Sequence, residues 1–129
     1  EGSKDRDFAL TDLAVTSGTG QTATARIELT KDGKSLKAVA EGTGPVDAIY
    51  KGLEKLTKTN YTLITYTIQA ITGGTDAQGD VTVVLEYKGR RASARAANTD
   101  VLVASAEAYL GAINRMAALK DTAFPPKGI

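Results

Sequence analysis

The sequence predicts an α+β fold of two βββα units related by an internal pseudo-twofold axis, with the helices packed on antiparallel sheets. Apolar and polar residues alternate in several short segments, as in half-buried strands. Two longer segments carry apolar residues at helical spacing. A constant offset superposes Ala38 on Ala94 and Ala48 on Ala104, which indicates a duplication. Two copies are fewer than a solenoid needs, so a closed domain is favoured.

The strands of the first unit are predicted from alternation and from one tight turn. Residues 22–29 place their apolar side chains on one face. Asp32 and Gly33 follow, a pair that suits the positive φ angles of a hairpin turn, and a second strand then resumes the alternation. Within residues 8–16 the alternation changes phase near Asp12, which indicates a β-bulge. Three strands therefore precede the first helix.

The first helix is predicted to begin directly after residues 42–45. Proline suits the first helical turn, and helical spacing connects Val46, Ile49, Leu53 and Leu56. These side chains form one apolar stripe that can pack on a sheet.

The second unit repeats the order of the first. Its predicted strands and helix are residues 61–70, 81–87, 91–97 and 100–118, with a turn at Lys88 and Gly89. In its first strand Tyr61 and Leu63 are predicted to face one way and Tyr66 the other, so that both faces need burial. Its helix is apolar on two stripes, more than one sheet covers, and a second subunit could cover the rest.

The predicted domain boundaries follow from these elements. Residues 1–7 have the look of a tag or linker remnant, and residues 8–120 form one domain with units at about 8–58 and 60–118. Residues 73–80 are predicted as a polar surface loop, and residues 121–129 as an irregular tail because of its two prolines.

Composition excludes several classes of partner. Sixteen Lys plus Arg against fifteen Asp plus Glu, with no run of like charge, argue against nucleic acid and anionic membrane surfaces. No apolar stretch approaches the roughly 20 residues of a membrane span. The absence of cysteine is compatible with a reducing compartment, and cytoplasm is the predicted location.

The residue types that carry most catalysis are missing. With no histidine and no cysteine, the chain has no histidine base, no Ser-His-Asp triad and no zinc-thiolate site. Asp76 and Asp80 share the predicted loop, but an exposed loop does not hold a carboxylate pair in the geometry of an acid and a base. We therefore expect no catalytic residue, no metal and no cofactor.

The sharpest local feature is the segment 42–45, Gly-Thr-Gly-Pro, between a strand and a helix. Free amides and the dipole at a helix start attract a carboxylate or phosphate. The alternative is that the glycines only permit a tight turn, with Asp47 complementing the dipole. The segment lacks the Lys of a P-loop and the third glycine of a dinucleotide fingerprint.

The corresponding junction of the second unit offers Asn98, Thr99 or Asp100 as a helix cap, and capping alone explains all three. If the two helix starts face one another across a pseudo-twofold, they form a small amphipathic pocket. Such a pocket suits the charged ends and apolar side chain of an amino acid.

Three ordered segments resemble the C-terminal allosteric domain of 2-isopropylmalate synthases. They are residues 42–48 (GTGPVDA), 73–83 (GGTDAQGDVTV) and 99–115 (TDVLVASAEAYLGAINR), and the resemblance covers roughly residues 8–118. It implies a regulatory domain that forms a homodimer and binds leucine at the dimer interface. Bound leucine would lower the activity of a TIM-barrel catalytic domain, absent here, that condenses acetyl-CoA with 2-oxoisovalerate.

The resemblance also implies which residues hold the effector, in three groups. The first helix start, the first strand of the second unit and the second junction supply them. In full, they are Gly42, Gly44, Pro45, Val46, Asp47 and Ala48, then Leu63, Tyr66 and Ala70, then Ala97, Asn98 and Thr99.

One departure from the family pattern concerns the strand before the second helix. Many members carry glycines where this chain has Ala94, Arg95 and Ala96, and the added methyl groups would narrow or reshape the pocket. Two alternatives therefore stand beside leucine. One is an isoleucine-sensing domain of a citramalate synthase, since moving one methyl group within an apolar pocket changes the binding free energy by about 1–3 kcal/mol at most. The other is a dimerisation module that no longer responds to a ligand.

Overall fold

The structure is a computed structural model that describes residues 7–71 and 77–121. Six strands and two helices follow in the predicted order βββα, βββα. The first unit contains β1 (Ala9–Thr16), β2 (Ala23–Lys31), β3 (Lys34–Gly42) and α1 (Pro45–Thr57). The second contains β4 (Thr62–Ile71), β5 (Gln78–Tyr87), β6 (Arg90–Asn98) and α2 (Val101–Asp121).

Each unit forms its own antiparallel three-stranded sheet, in the order β1-β2-β3 and β4-β5-β6. Both predicted hairpin turns have two residues at positive φ: Asp32 and Gly33 at 54° and 76°, and Lys88 and Gly89 at 53° and 80°. These angles match the twist of the flanking strands. The predicted α+β class and the two βββα units are confirmed.

β1 and β4 each contain a bulge, although only the first was predicted. The pairing of β1 shifts between Leu10 and Asp12, as expected, and that of β4 shifts between Leu63 and Thr65. After the second shift, Leu63 and Tyr66 both pair with buried residues of β5, Leu85 and Val83. The prediction that Leu63 and Tyr66 face opposite ways is therefore wrong, because the bulge adds one residue between them.

Two boundaries differ from the prediction. β5 begins at Gln78, so residues 78–80 are strand and not loop, because they pair with β4 and β6. α2 begins at Val101 and continues to Asp121, beyond the predicted end at 118. Residues 73–76, the segment 1–6 and the tail from residue 122 lie outside the described residues.

The core lies between the two sheets. α1 packs on β2 and β3, α2 packs on β5 and β6, the two helices contact each other, and α2 also reaches β1. Asn114 of α2 bonds both the amide and the carbonyl of Phe8, at 2.9 Å each. The apolar surface of α2 that its own sheet leaves open is thus covered by the first unit of the same chain. The two apolar stripes of α2 therefore do not need a second subunit to bury them.

An apolar strip on β4 remains uncovered. Its residues are Leu63, Ile64 and Ile68, which are 41%, 38% and 49% exposed, although the β5 partners of Leu63 and Ile68 are fully buried. The reason is that α2 lies over β5 and β6 and reaches β4 at Tyr66, which leaves these side chains uncovered. We call these three residues the β4 strip. Exposed apolar side chains that adjoin one another are typical of interaction surfaces.

Within the described ranges, neither α1 nor α2 has the length and apolar character needed to cross a membrane.

Candidate functional site

The start of α1 is closely packed on one side and open on the other. A Cβ atom at Gly42 would lie 2.5 Å from the backbone nitrogen of Ala48, so the strand end touches the helix directly. Gly44, the N-cap, has extended backbone angles and no capping side chain, and a Cβ there would meet nothing within 4 Å. The tight-turn interpretation therefore explains Gly42 but not Gly44.

The Asp47 side chain bonds the loop that precedes α1. Its carboxylate accepts hydrogen bonds from the Thr43 amide at 2.9 Å and pairs with the Lys51 ammonium at 3.1 Å. These contacts, the Thr43 amide first, hold the pKa of Asp47 below its usual value. The first-turn amides of Val46 and Asp47 have no carbonyl partner within the helix, as at any helix start. An anion is therefore favoured beside Gly44.

The start of α2 is closed by a carboxylate of the chain itself. Asp100 accepts hydrogen bonds from the amides of Leu102 and Val103 at 2.9 and 3.4 Å. Asn98 orients this cap, since its side-chain oxygen accepts from the Asp100 amide at 2.8 Å. Of the three candidate caps, Asp100 is the cap, and the two helix starts are not equivalent.

The predicted site residues on β4 are spread along the strand. Leu63 and Ala70 lie near opposite ends, roughly 20 Å apart at the usual rise of a strand. Tyr66 lies between them and is half-buried, while Leu63 and Ala70 are exposed. A molecule the size of an amino acid cannot touch both ends at once.

At the second junction the structure brings together two of the predicted residues. Ala70, Gly79 and Asn98 pair in one row across the second sheet, and Gly79 lies against Val101, the first residue of α2. Ala97 pairs with Asp80 and so lies on the opposite face. Thr99 is exposed in the bend before the helix.

A cluster of tyrosines, which sequence reasoning missed, connects α1, β4 and α2. The Tyr50 ring stacks on Tyr109 at 4.0 Å between centroids and meets Tyr66 edge-on at 5.8 Å. The Tyr66 hydroxyl lies 2.8 Å from the Ser105 hydroxyl. Burial raises the pKa of both Tyr50 and Tyr109, so these two phenols stay protonated. The sequence feature that could have indicated this cluster is Ser105, a polar residue among the apolar stripes of α2.

The methyl group of Ala94 packs against a glycine of α2. It lies on the helix side of β6, where a Cβ at Gly111 of α2 would be 3.0 Å away. A helix glycine thus faces the strand alanine. The Ala94 methyl is accommodated between strand and helix, away from the β4 strip.

A cleft beside the first helix start is polar. It has a volume of about 570 Å³, and its lining includes Gln21, Glu41, Thr43 and Lys51. These side chains suit a charged group, but they offer no apolar wall. An apolar wall for a ligand at this helix start must come from another surface.

Of the two carboxylates in the predicted loop, Asp80 lies within the described residues and is engaged in an ion pair. Asp80 is 5% exposed and forms an ion pair with Arg95, whose Nε lies 3.2 Å from the carboxylate. The Arg95 hydrogen bond holds the pKa of Asp80 below its usual value. Asp76 lies outside the described residues. Residues 7–71 and 77–121 contain no group of three carboxylates that could hold a metal ion.

Replacing Asp80 by asparagine should lower the melting temperature at pH 7 and should matter less in acid. A carboxyl whose pKa is lowered by folding adds stability above its unfolded pKa of about 3.9, and this stability is lost as the pH falls toward the folded value. Melting curves of Asp80→Asn and the parent should therefore converge below about pH 4. A constant difference from pH 7 to pH 3 would contradict this role of the ion pair.

Comparison of the sequence with known proteins assigns the chain to a family. Residues 1–117 match the family described as the LeuA allosteric (dimerisation) domain. The chain is 44% identical over 118 residues to a 2-isopropylmalate synthase of Nitrosococcus oceani, covering 92% of this chain and 23% of that protein. It is 43% identical over 122 residues to the enzyme of Thiobacillus denitrificans, covering 95% and 24%.

A third relative, the 2-isopropylmalate synthase of a Picosynechococcus species, is 47% identical over 116 residues, which are 88% of this chain and 22% of that protein. The chain thus spans about a quarter of the length of these relatives. The resemblance inferred from three motifs is confirmed by the match. The chain belongs to the family of LeuA allosteric (dimerisation) domains.

Proposed function

We propose that this chain binds a branched-chain amino acid, leucine foremost, as the feedback effector of a 2-isopropylmalate synthase, and that it acts as a homodimer. The observation that carries the proposal is the difference between its two helix starts. Gly44 leaves the first without a capping side chain, whereas Asp100 fills the second. In a family described as allosteric, an open helix start is the better place for an effector carboxylate.

The apolar part of the ligand needs a different surface. The cleft beside the first helix start is polar, while the β4 strip is apolar and exposed. A second copy of the chain that covers its partner's β4 strip would exclude water and supply the missing wall. We therefore propose that the homodimer contains the effector site between its subunits and that the site is incomplete in one chain.

The wider role rests on the relatives. They carry the name 2-isopropylmalate synthase, and the chain matches only about a quarter of each. We propose that it serves a catalytic domain of that kind, whose activity falls when leucine is bound. This chain would then contribute recognition and assembly, and no chemistry of its own.

Two alternatives are weighed by single observations. Isoleucine differs from leucine only in the position of a methyl group, and the described residues favour neither strongly. A ligand-insensitive dimerisation module was suggested by the extra methyl groups of β6. The contact of Ala94 with Gly111 weakens that suggestion, because this methyl group does not approach the β4 strip.

The proposal is tested by calorimetric titration with leucine, isoleucine and valine, together with a mass measurement in solution. We expect a dimer that binds leucine, and a ligand at 100 times its Kd should stabilise it by about 2.7 kcal/mol. Gly44→Asp should weaken leucine binding by at least tenfold, roughly the effect of one charge-assisted hydrogen bond. The new carboxylate would occupy the ligand's place.

Two features make this variant informative. Aspartate is a preferred N-cap, so Gly44→Asp should keep or slightly raise the melting temperature while it weakens leucine binding. The matched variant Gly44→Ala adds a side chain without charge in open space and should bind leucine nearly as the parent does. Leucine binding to Gly44→Asp with parental affinity would place the site elsewhere, and a parent that binds none of the three amino acids would refute the proposal.

A further inference from the structure

We propose that Ser105 fixes the hydrogen-bonding direction of Tyr66, so that Tyr66 accepts a hydrogen bond from the ammonium group of the effector and disfavours the corresponding 2-oxo acid. This inference rests on the proposed effector site. Ser105 acts here as a positioning residue and Tyr66 as the binding residue.

The direction follows from the hydrogen bonds of Ser105, which is fully buried. Its Oγ lies 2.8 Å from the carbonyl oxygen of Val101, one turn earlier in α2. A carbonyl can only accept, so the single hydroxyl hydrogen of Ser105 is used there. The second contact of Ser105, 2.8 Å to the Tyr66 hydroxyl, must then be donated by Tyr66.

Tyr66 has therefore used its only hydrogen. What its hydroxyl can offer to a ligand is a lone pair, which accepts a hydrogen bond but cannot donate one. The ring is held edge-on against Tyr50, with the two planes at 86°, so its position is set by α1 as well as by α2.

The location of Tyr66 makes this polarity relevant to a ligand. The residue is half-buried and shares the helix-side face of β4 with Leu63 and Ile68 of the exposed β4 strip. A molecule bound on this face of β4 has the Tyr66 side chain as its neighbour, because Tyr66 lies between Leu63 and Ile68 along the strand. An ammonium group donates to it, whereas the keto oxygen of a 2-oxo acid would bring two acceptors together.

The 2-oxo acid of leucine, 4-methyl-2-oxopentanoate, isolates this contact because it keeps the carboxylate and the branched side chain. Calorimetry should give the ratio of its Kd to that of leucine for the 129-residue chain and for four variants. The parent should prefer leucine by at least about tenfold, the effect of one hydrogen bond to a charged group. Ser105→Ala frees the Tyr66 hydrogen to donate to the keto oxygen and should reduce that preference about tenfold.

Tyr66→Phe should reduce the preference similarly, and adding Ser105→Ala to it should change nothing more, because Ser105 acts through Tyr66. Tyr109→Phe removes a hydroxyl from the same cluster but outside this pair, so it should keep the parental ratio. A purely structural role of Ser105 would lower the melting temperature without changing the ratio. Such a result, or an equal ratio in parent and Tyr66→Phe, would overturn this inference and leave the proposed function standing. A parent that does not bind leucine would overturn the proposed function itself.

Discussion

Gly42→Ala should lower the free energy of unfolding by about 1–3 kcal/mol or more, because the added methyl group has no room. Its Cβ would lie 2.5 Å from the Ala48 nitrogen and 2.8 Å from the Ala48 Cα. Both are backbone atoms of the first helical turn, so relief requires α1 to move away from β3. Gly42 is not at positive φ, and its need for glycine comes from this contact.

The same substitution should weaken leucine binding, because a displaced helix start no longer presents its amides to the ligand carboxylate. Urea denaturation measures the first effect and calorimetry the second. Gly44→Ala, two residues away, serves as the matched control, since its methyl group would enter open space. If Gly42→Ala and Gly44→Ala had equal stability and equal affinity, the close approach of β3 to α1 would not define the site.

The features predicted correctly from sequence are local ones. Asp32 and Gly33 determine their turn by their own conformational preferences, and the bulge near Asp12 is visible as a change of phase between flanking apolar residues. Pro45 sets the start of α1 for the same kind of reason. Each of these signals lies within a few residues of the feature it determines.

The bulge in β4 could not be read in this way. Leu63 and Ile64 are adjacent apolar residues, so the sequence admits two phases, and only pairing with Leu85 of β5 selects between them. The choice of Asp100 over Asn98 and Thr99 as the cap is similar, because all three residue types cap helices. Such ambiguities are resolved by backbone geometry.

The least predictable part of the candidate site is the tyrosine cluster. Tyr50, Tyr66 and Tyr109 come from three elements, and periodicity assigns each to its own element without indicating that the rings meet. The sequence of the second helix start likewise offers three capping residues without selecting one. Only the hydrogen bonds of Asp100 show that it is the cap.

Tyr109→Ala should be the most destabilising of these substitutions, at about 3–5 kcal/mol, as for other large aromatic residues truncated in a core. Tyr109 is 2% exposed and stacks on Tyr50 of the first unit, so its removal opens a cavity where the two units meet. Urea denaturation followed by circular dichroism measures the loss.

Tyr109→Phe separates the ring from the hydroxyl. It keeps the stacked ring and loses one hydrogen bond of 3.3 Å to Glu54, which should cost about 1 kcal/mol or less.

Because the buried residues of both units form one continuous cluster, the parent should unfold in a single transition, and loss of the stack should weaken the coupling of the units. A cost below about 1 kcal/mol for Tyr109→Ala would be well under the usual range for a buried ring. It would mean that the Tyr50–Tyr109 stack does not hold the two units together.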